Sequence, residues 1–267
     1  MPKLVKSATR VIDILELLSD VPGGMVLSEI CAALQIPASS MHALINTLVI
    51  KGYLLRDDTS QRYLIGPKLP QITAIYESHL DLISIASPIM DQLVSFTGES
   101  LFLTRLDEDK ITFLKVHPGL GIIRIINTVG THLPAHACGS GKAMMAYLPD
   151  VEIDRIYPDE QFPAILPNTI KTKTELRRAL QLVRHQGFAL DQEEAETGVW
   201  AMASCIRDGN GRPISALTIG APSFRAKAEM IEEWARALTQ SALSISVRFG
   251  FHDGLTIPLN EAGFHKE

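Results

Sequence analysis

Between residues 28 and 66 the chain reads SEICAALQIPASSMHALINTLVIKGYLLRDDTSQRYLIG, and one proline in the middle decides how that stretch folds. The ring of Pro37 fixes φ and pushes the residue before it out of the α region, so no continuous helix can run through it. Upstream, Ser28 is the expected N-cap of a helix with Ile30, Leu34 and Ile36 as its apolar stripe. Downstream, Met41, Leu44, Ile45 and Leu48 recur at helical spacing. The opposite face holds short or hydrogen-bonding side chains: Ser39, Ser40, His42, Ala43, Asn46 and Thr47. After Gly52 the pattern changes to YLLRD, a DTSQ turn and RYLIG, which predicts a two-stranded hairpin. Helix, turn, helix and wing is a shape that lays one helix in the DNA major groove. The same pattern would also suit a small helical domain whose polar face is merely solvated.

Charge constrains how such a head could work. The chain has 267 residues and a formal net charge of −5. Residues 1–67 are neutral, with Lys3, Lys6, Arg10, Lys51, Arg56 and Arg62 balanced by Asp13, Glu16, Asp20, Glu29, Asp57 and Asp58. DNA binding without a net positive field must rest on local placement and on two copies acting together. Lys51 follows the second helix, Arg62 lies on the wing, and Lys3, Lys6 and Arg10 precede or open a first helix: all are suitable positions for phosphate contacts. Expected DNA-contacting residues are therefore Ser39, Ser40, His42, Asn46, Thr47, Lys51 and Arg62.

Residues 7–20, SATRVIDILELLSD, predict an amphipathic helix that completes a three-helix winged unit over residues 1–67. Residues 69–96 read as mostly helical with a break or restart at Pro88, and residues 68–80 are expected to be a linker helix. From Ser100 the pattern switches to strands: SLFLTRL and ITFLKVH around a DEDK turn, then the apolar run IIRIINTV. Helices are expected over 139–148, over 174–186 with Thr174 as cap and Gly187 as stop, and over about 226–247. A second hairpin turns at GNG. Residues 81–250 thus form an α+β domain of sensing type, and residues 251–267 an irregular tail. No apolar run is long enough to span a membrane, and MPKLVKSATR lacks the apolar core of a signal peptide. The three cysteines, Cys31, Cys138 and Cys205, are odd in number and far apart, which suits a reducing cytoplasm. No metal-ligand spacing occurs; the nearby His132, His136 and Cys138 read as structural, and no cofactor is expected.

Two segments suggest a small-molecule pocket. In HLPAHACGSGKAMMAYL, Cys138, Gly139, Ser140 and Gly141 lead into a helix, where backbone amides can receive a carboxylate or aldehyde oxygen. In GFALDQEEAETGVWAMASCIRD, Asp191 could accept a hydrogen bond from a ligand hydroxyl or hydrate, with Val199, Ala201 and Cys205 as apolar walls. The bland reading of Glu193, Glu194 and Glu196 is an exposed loop, and it is the favoured one for Glu196.

These residues resemble the IclR family of bacterial transcriptional regulators over nearly the whole length. The resemblance is carried by LSEICAALQIPASSMHALINTLVIKGYL, by RYLIGPKL and by LPAHACGSGKAMMAYLP. Its most specific part is Gly187, Asp191, Glu194, Ala201-Met202-Ala203, Ile206 and Asp208, with Arg207 standing where an aromatic residue or histidine is usual. The resemblance implies a winged helix-turn-helix domain, mainly α, joined by a linker helix to an α+β GAF-like effector-binding domain. It also implies dimers or tetramers on double-stranded operator DNA. Ligand contacts of the family fall on Gly139, Ser140, Asp191, Val199, Ala201 and Cys205, and the effectors are often short organic acids such as glyoxylate or pyruvate, with aromatic acids in other branches. Ala201 replaces a cysteine of some members, and Ala38 and Ala43 stand where basic residues are common. The expected function is a regulator, a repressor of a catabolic operon, and not an enzyme. Two rivals remain: a protein-interaction module with a degenerate winged helix, and a hydrolase using Cys138 as nucleophile with His136 or Asp191 in support.

Overall fold

The computed structural model describes residues 5–72 and 81–252, and the chain divides into two compact units, Met1–Leu80 and Asp81–Glu267. In the first unit, α1 (Lys6–Ser19), α2 (Leu27–Leu34) and α3 (Ala38–Ile50) precede a hairpin of β1 (Leu54–Arg56) and β2 (Tyr63–Ile65). Ile14, Leu18, Ile30, Met41, Ile45, Leu48 and Leu54 form one core, so the apolar stripes seen in the sequence all turn inward. Helix α2 starts at Leu27 rather than after Ser28. Its cap is Val26, whose amide donates to Glu29 Oε2 at 2.9 Å, so a carboxylate at the third helical position does the work expected of the serine hydroxyl. The helix closes on Gln35 in the left-handed region, and Pro37 becomes the N-cap of α3. Tyr63 and Met25 exchange backbone hydrogen bonds of 2.8 and 3.1 Å, which ties the wing back to the segment before α2.

The second unit is built on one antiparallel six-stranded sheet. Its strands are β3 (Ser100–Asp107), β4 (Lys110–His117), β5 (His132–Pro134), β6 (Ala189–Gln192), β7 (Val199–Arg207) and β8 (Pro213–Pro222), in the order β5-β4-β3-β8-β7-β6. One face is covered by α4 (Leu82–Thr97) and α8 (Ala228–Arg248), packing Met90, Leu93, Trp234 and Leu238 on Leu101, Leu103, Met202 and Ile219. The other carries α5 (Gly139–Met145), α6 (Asp150–Ile156) and α7 (Lys173–Gln186), which bury Phe102, Ala189, Ala203 and Cys205. The period-two alternation of each strand therefore sorts its residues between two cores.

Several expectations change. Pro88 lies inside α4 without ending it. The roughly 3 kcal/mol that an interior proline costs is outweighed by burial of Ala86, Ile89, Met90, Leu93 and Val94, at about 1.5–3 kcal/mol for each larger side chain. The part of the expected linker helix at residues 73–80 lies outside the described residues. The run IIRIINTV is not a strand: its carbonyls are taken by side chains, Ile125 O by Ser100 Oγ at 2.6 Å and Ile123 O by Arg225 Nη2 at 2.7 Å. The cap of α7 is Thr172, whose hydroxyl accepts from the Glu175 amide, rather than Thr174. Of the expected tail only Phe251 and His252 are described, and Phe251 is buried. Arg207 stacks over Phe251 at 3.8 Å and Tyr147 at 4.4 Å, so the departure at this position is used in a cation–π sandwich.

Ile45, at 1 % exposure, is the pivot of the first core. Ile45→Ala is expected to cost about 2–5 kcal/mol. Urea unfolding followed by circular dichroism should register this as an earlier transition; an unchanged profile would mean that α3 does not pack as described.

Candidate functional site

The packing of α3 leaves one face to solvent. With Met41, Ile45 and Leu48 turned inward, Ser39, His42, Asn46, Thr47 and Lys51 are exposed and Ser40 is half-buried. Thr47 donates to the Ala43 carbonyl at 2.8 Å, leaving its oxygen as an acceptor. A hollow of about 400 Å³ between α1 and α3 brings Lys6, Arg10 and Ser40 together. Two cations and a hydroxyl on neighbouring helices thus line one hollow. Arg62 is used differently from the expectation: its Nη1 donates to the Gly24 carbonyl at 2.7 Å and lies 3.5 Å from Glu29, tying the wing to α2. Ala38 and Ala43 lie on the exposed face.

In the second unit, α5 lies across β6, β7 and β8. Gly141 is obligatory there, since a Cβ would come within 2.1 Å of the Ala135 carbonyl. Gly139 is not, because a Cβ would meet Ala203 at an ordinary 3.5 Å. Ser140 shares a hydrogen bond of 2.9 Å with Thr218 of β8. Asp191 of β6, paired with Ala201 of β7, accepts from the Glu194 amide at 2.9 Å. Burial, with a further contribution from Glu194, pushes the Asp191 carboxyl up to about 6. Lys142 of α5 donates to both carboxylate oxygens of Glu194.

The structure thus gathers Gly139, Ser140 and Asp191 on one face of the sheet, over the alternate positions Val199, Ala201 and Cys205. Ser140, Asp191, Ala201, Cys205 and Cys138 are all buried, Val199 only partly. Glu194 is 8 % exposed and part of this cluster, because its carboxylate neutralises the buried Lys142; Glu196, for which the exposed loop was the favoured reading, is exposed. Lys142 and Thr218 were missed by sequence reasoning. A lysine amid the small and apolar residues of GSGKAMMA was a usable signal; Thr218, in an apolar strand, offered none.

Nothing here activates a nucleophile. Burial pushes the Cys138 thiol up to about 12, and its Sγ faces the Ala135 carbonyl at 3.8 Å rather than an imidazole. A buried thiol held protonated lacks the thiolate that a hydrolase of this type requires. Among the described residues no three His, Cys, Asp or Glu side chains converge as metal ligands, and no single helix is long and apolar enough to cross a membrane.

Comparison with known proteins gives two family-level matches. Residues 7–58 match the family described as the IclR helix-turn-helix domain, and residues 74–247 the one described as bacterial transcriptional regulator IclR C-terminal. The HTH-type transcriptional regulator KdgR of Dickeya chrysanthemi is 29% identical over 252 residues, covering 94% of this chain and 82% of that protein. The transcriptional repressor IclR of Escherichia coli (strain K12) is 24% identical, covering 92% of this chain and 90% of its own. The crystal structure of the Thermotoga maritima IclR aligns with a TM-score of 0.62 at 26% identity, over 92% of this chain and 99% of the other.

The raised Asp191 carboxyl has a stability consequence whose sign is fixed. Its protonated form is favoured in the folded chain, so the penalty for ionising it is absent below about pH 4 and grows until pH passes about 6. Asp191→Asn, which imitates the protonated form, is expected to stabilise the unliganded protein by on the order of 2 kcal/mol at pH 7.5 and negligibly at pH 4. Thermal unfolding at the two pH values checks this; equal effects at both would remove Asp191 as the titrating group.

Proposed function

The chain belongs to the IclR family of bacterial transcriptional regulators, and from that premise we propose that it represses a catabolic operon and that a small metabolite alters its grip on operator DNA. The observation that carries the DNA half is the sorting of α3, with its apolar residues in the core and Ser39, His42, Asn46 and Thr47 facing outward. Asn46 is suited to reading adenine, and Lys6, Arg10 and Lys51 to phosphates. Because the head carries no net positive charge, operator binding calls for two heads on paired half-sites. The active form is accordingly a homodimer or homotetramer in the cytoplasm.

The effector half rests on the buried polar cluster. A small carboxylate or aldehyde fits it: one end at the backbone amides of Gly139 and Ser140, with the Ser140 and Thr218 hydroxyls, and a hydroxyl or hydrate donating to Asp191. Val199, Ala201 and Cys205 then bound a short apolar part. Since Ser140 and Thr218 already bond to each other, and Asp191 to the Glu194 amide, a ligand enters by exchanging these bonds. Regulation follows if one arrangement of the heads goes with the exchanged form, because a ligand shifts an equilibrium only through its differential affinity.

The protein is expected to retard a fragment of its own upstream region in a gel and to release it as salt rises. Asn46→Ala should weaken that binding about tenfold or more, the loss of one bidentate base contact. Asp191→Ala should leave DNA affinity intact and abolish effector response. Failure to select any genomic fragment would replace this reading with the interaction module that Ala38 and Ala43 allow; a normal effector response in Asp191→Ala would move the pocket elsewhere.

A further inference from the structure

The balance of charge inside the buried cluster constrains what can enter it. Lys142, Asp191 and Glu194 are 4 %, 4 % and 8 % exposed, and when ionised they carry one positive charge against two negative ones. Lys142 donates to both carboxylate oxygens of Glu194, so that pair is matched and Asp191 is the unbalanced member. The charges that act on Asp191 are those of Glu194 and Lys142. Its partner strand places Ala201 opposite it, and α5 contributes the Ser140 hydroxyl and the Cys138 thiol, which burial keeps protonated. On α7, Glu175, Arg178, Arg184 and His185 are exposed, while Lys173 and Arg177 are paired with Asp154. Glu193, on the turn, is bonded to the Gly198 amide and the Ser223 hydroxyl.

The cluster thus holds one carboxyl away from water without a cation of its own, and burial pushes that carboxyl up to about 6. A carboxylate ligand seated at Gly139 and Ser140, and short enough to reach Asp191, brings a second unmatched negative charge into the same buried space. Two like charges there disfavour each other's ionised form, and a single proton relieves both. Glu194 is held ionised by Lys142, so the proton goes to Asp191. A protonated carboxyl gains an O–H donor for the ligand and keeps an oxygen that accepts. A ligand without charge makes no such demand.

We propose that the Ser140–Asp191 site takes a carboxylate ligand together with one proton from solvent, held on Asp191 in the complex, whereas an uncharged hydrate or hydroxyl compound enters without one. The proposal rests on the effector reading above and adds to it a selectivity set by pH. Above about pH 6 the free carboxyl is ionised, so each complex formed with an acid takes up a proton and affinity falls as pH rises. Below that pH the proton is already in place, and the dependence ends.

The test titrates the full-length protein with glyoxylate and with glycolaldehyde, which replaces the carboxylate by an uncharged hydroxymethyl group. Calorimetry in buffers of different ionisation enthalpy counts the protons exchanged. At pH 7 glyoxylate should take up about half a proton or more per site, and glycolaldehyde none. The Kd of glyoxylate should rise at least about fivefold between pH 6.5 and pH 8.5. In protein labelled with carbon-13 at aspartate carboxyls, glyoxylate at pH 7 should move the Asp191 signal to its protonated position. Asp191→Asn imitates the protonated group, so it should abolish both the uptake and the pH dependence and bind glyoxylate more tightly than the native chain at pH 8.5. Glyoxylate bound with no proton exchanged and a level Kd would overturn the proposal and leave the site itself standing. Uptake that persists in Asp191→Asn, or an Asp191 signal that stays ionised, would overturn it as well. Binding of neither probe would instead remove the effector reading beneath it.

Discussion

Lys142 places an ammonium group inside a domain core, at 4 % exposure, and much of the second unit is arranged around that fact. A buried cation is tolerated only with a partner, and removing one member of such a pair costs roughly 3–5 kcal/mol. Glu194 supplies the partner through both carboxylate oxygens. The pair fastens the turn after β6 to α5, and Asp191 is held by the Glu194 amide at the base of that turn. Thr169 donates to the Glu194 carbonyl as well, so the segment before α7 is secured at the same point. One ion pair thereby positions the carboxyl, the hydroxyls and the start of α5 that together make the candidate effector site. The sheet beneath provides the rest: Ala201, Ala203 and Cys205 of β7 face this side, while Trp200, Met202 and Ile206 fill the opposite core.

The winged unit works by different means. It has its own apolar core and no net charge, so its capacity to hold DNA lies in where its groups stand rather than in a general field. Lys6 and Arg10 converge on Ser40 across two helices, and α3 turns a run of hydrogen-bonding side chains outward. Arg62, which looked like a phosphate contact on the wing, serves first as a brace between wing and α2.

Much of this organisation was legible in the residues themselves. Periodicity around Pro37 located α2 and α3, and the glycine-rich approach to α5 together with Asp191 located the polar cluster. Where reading failed, a tertiary partner had intervened. Glu29 took over the cap from Ser28, apolar burial carried α4 through Pro88, and side chains of Ser100 and Arg225 kept IIRIINTV out of the sheet. The partner of Glu194 was not legible because its lysine lies 52 residues earlier, and no local pattern reveals a pair that distant.

Coupling between the two units is best tested by reciprocity. Fluorescence anisotropy would give the affinity of the full-length protein for its upstream DNA with and without glyoxylate, pyruvate and other small carboxylates and aldehydes, and calorimetry each compound's affinity with and without DNA. One compound should shift DNA affinity by about fivefold or more, and DNA should shift that compound's affinity by the same factor. A compound that binds at the Asp191 cluster while leaving DNA affinity unchanged would show that the two units do not communicate.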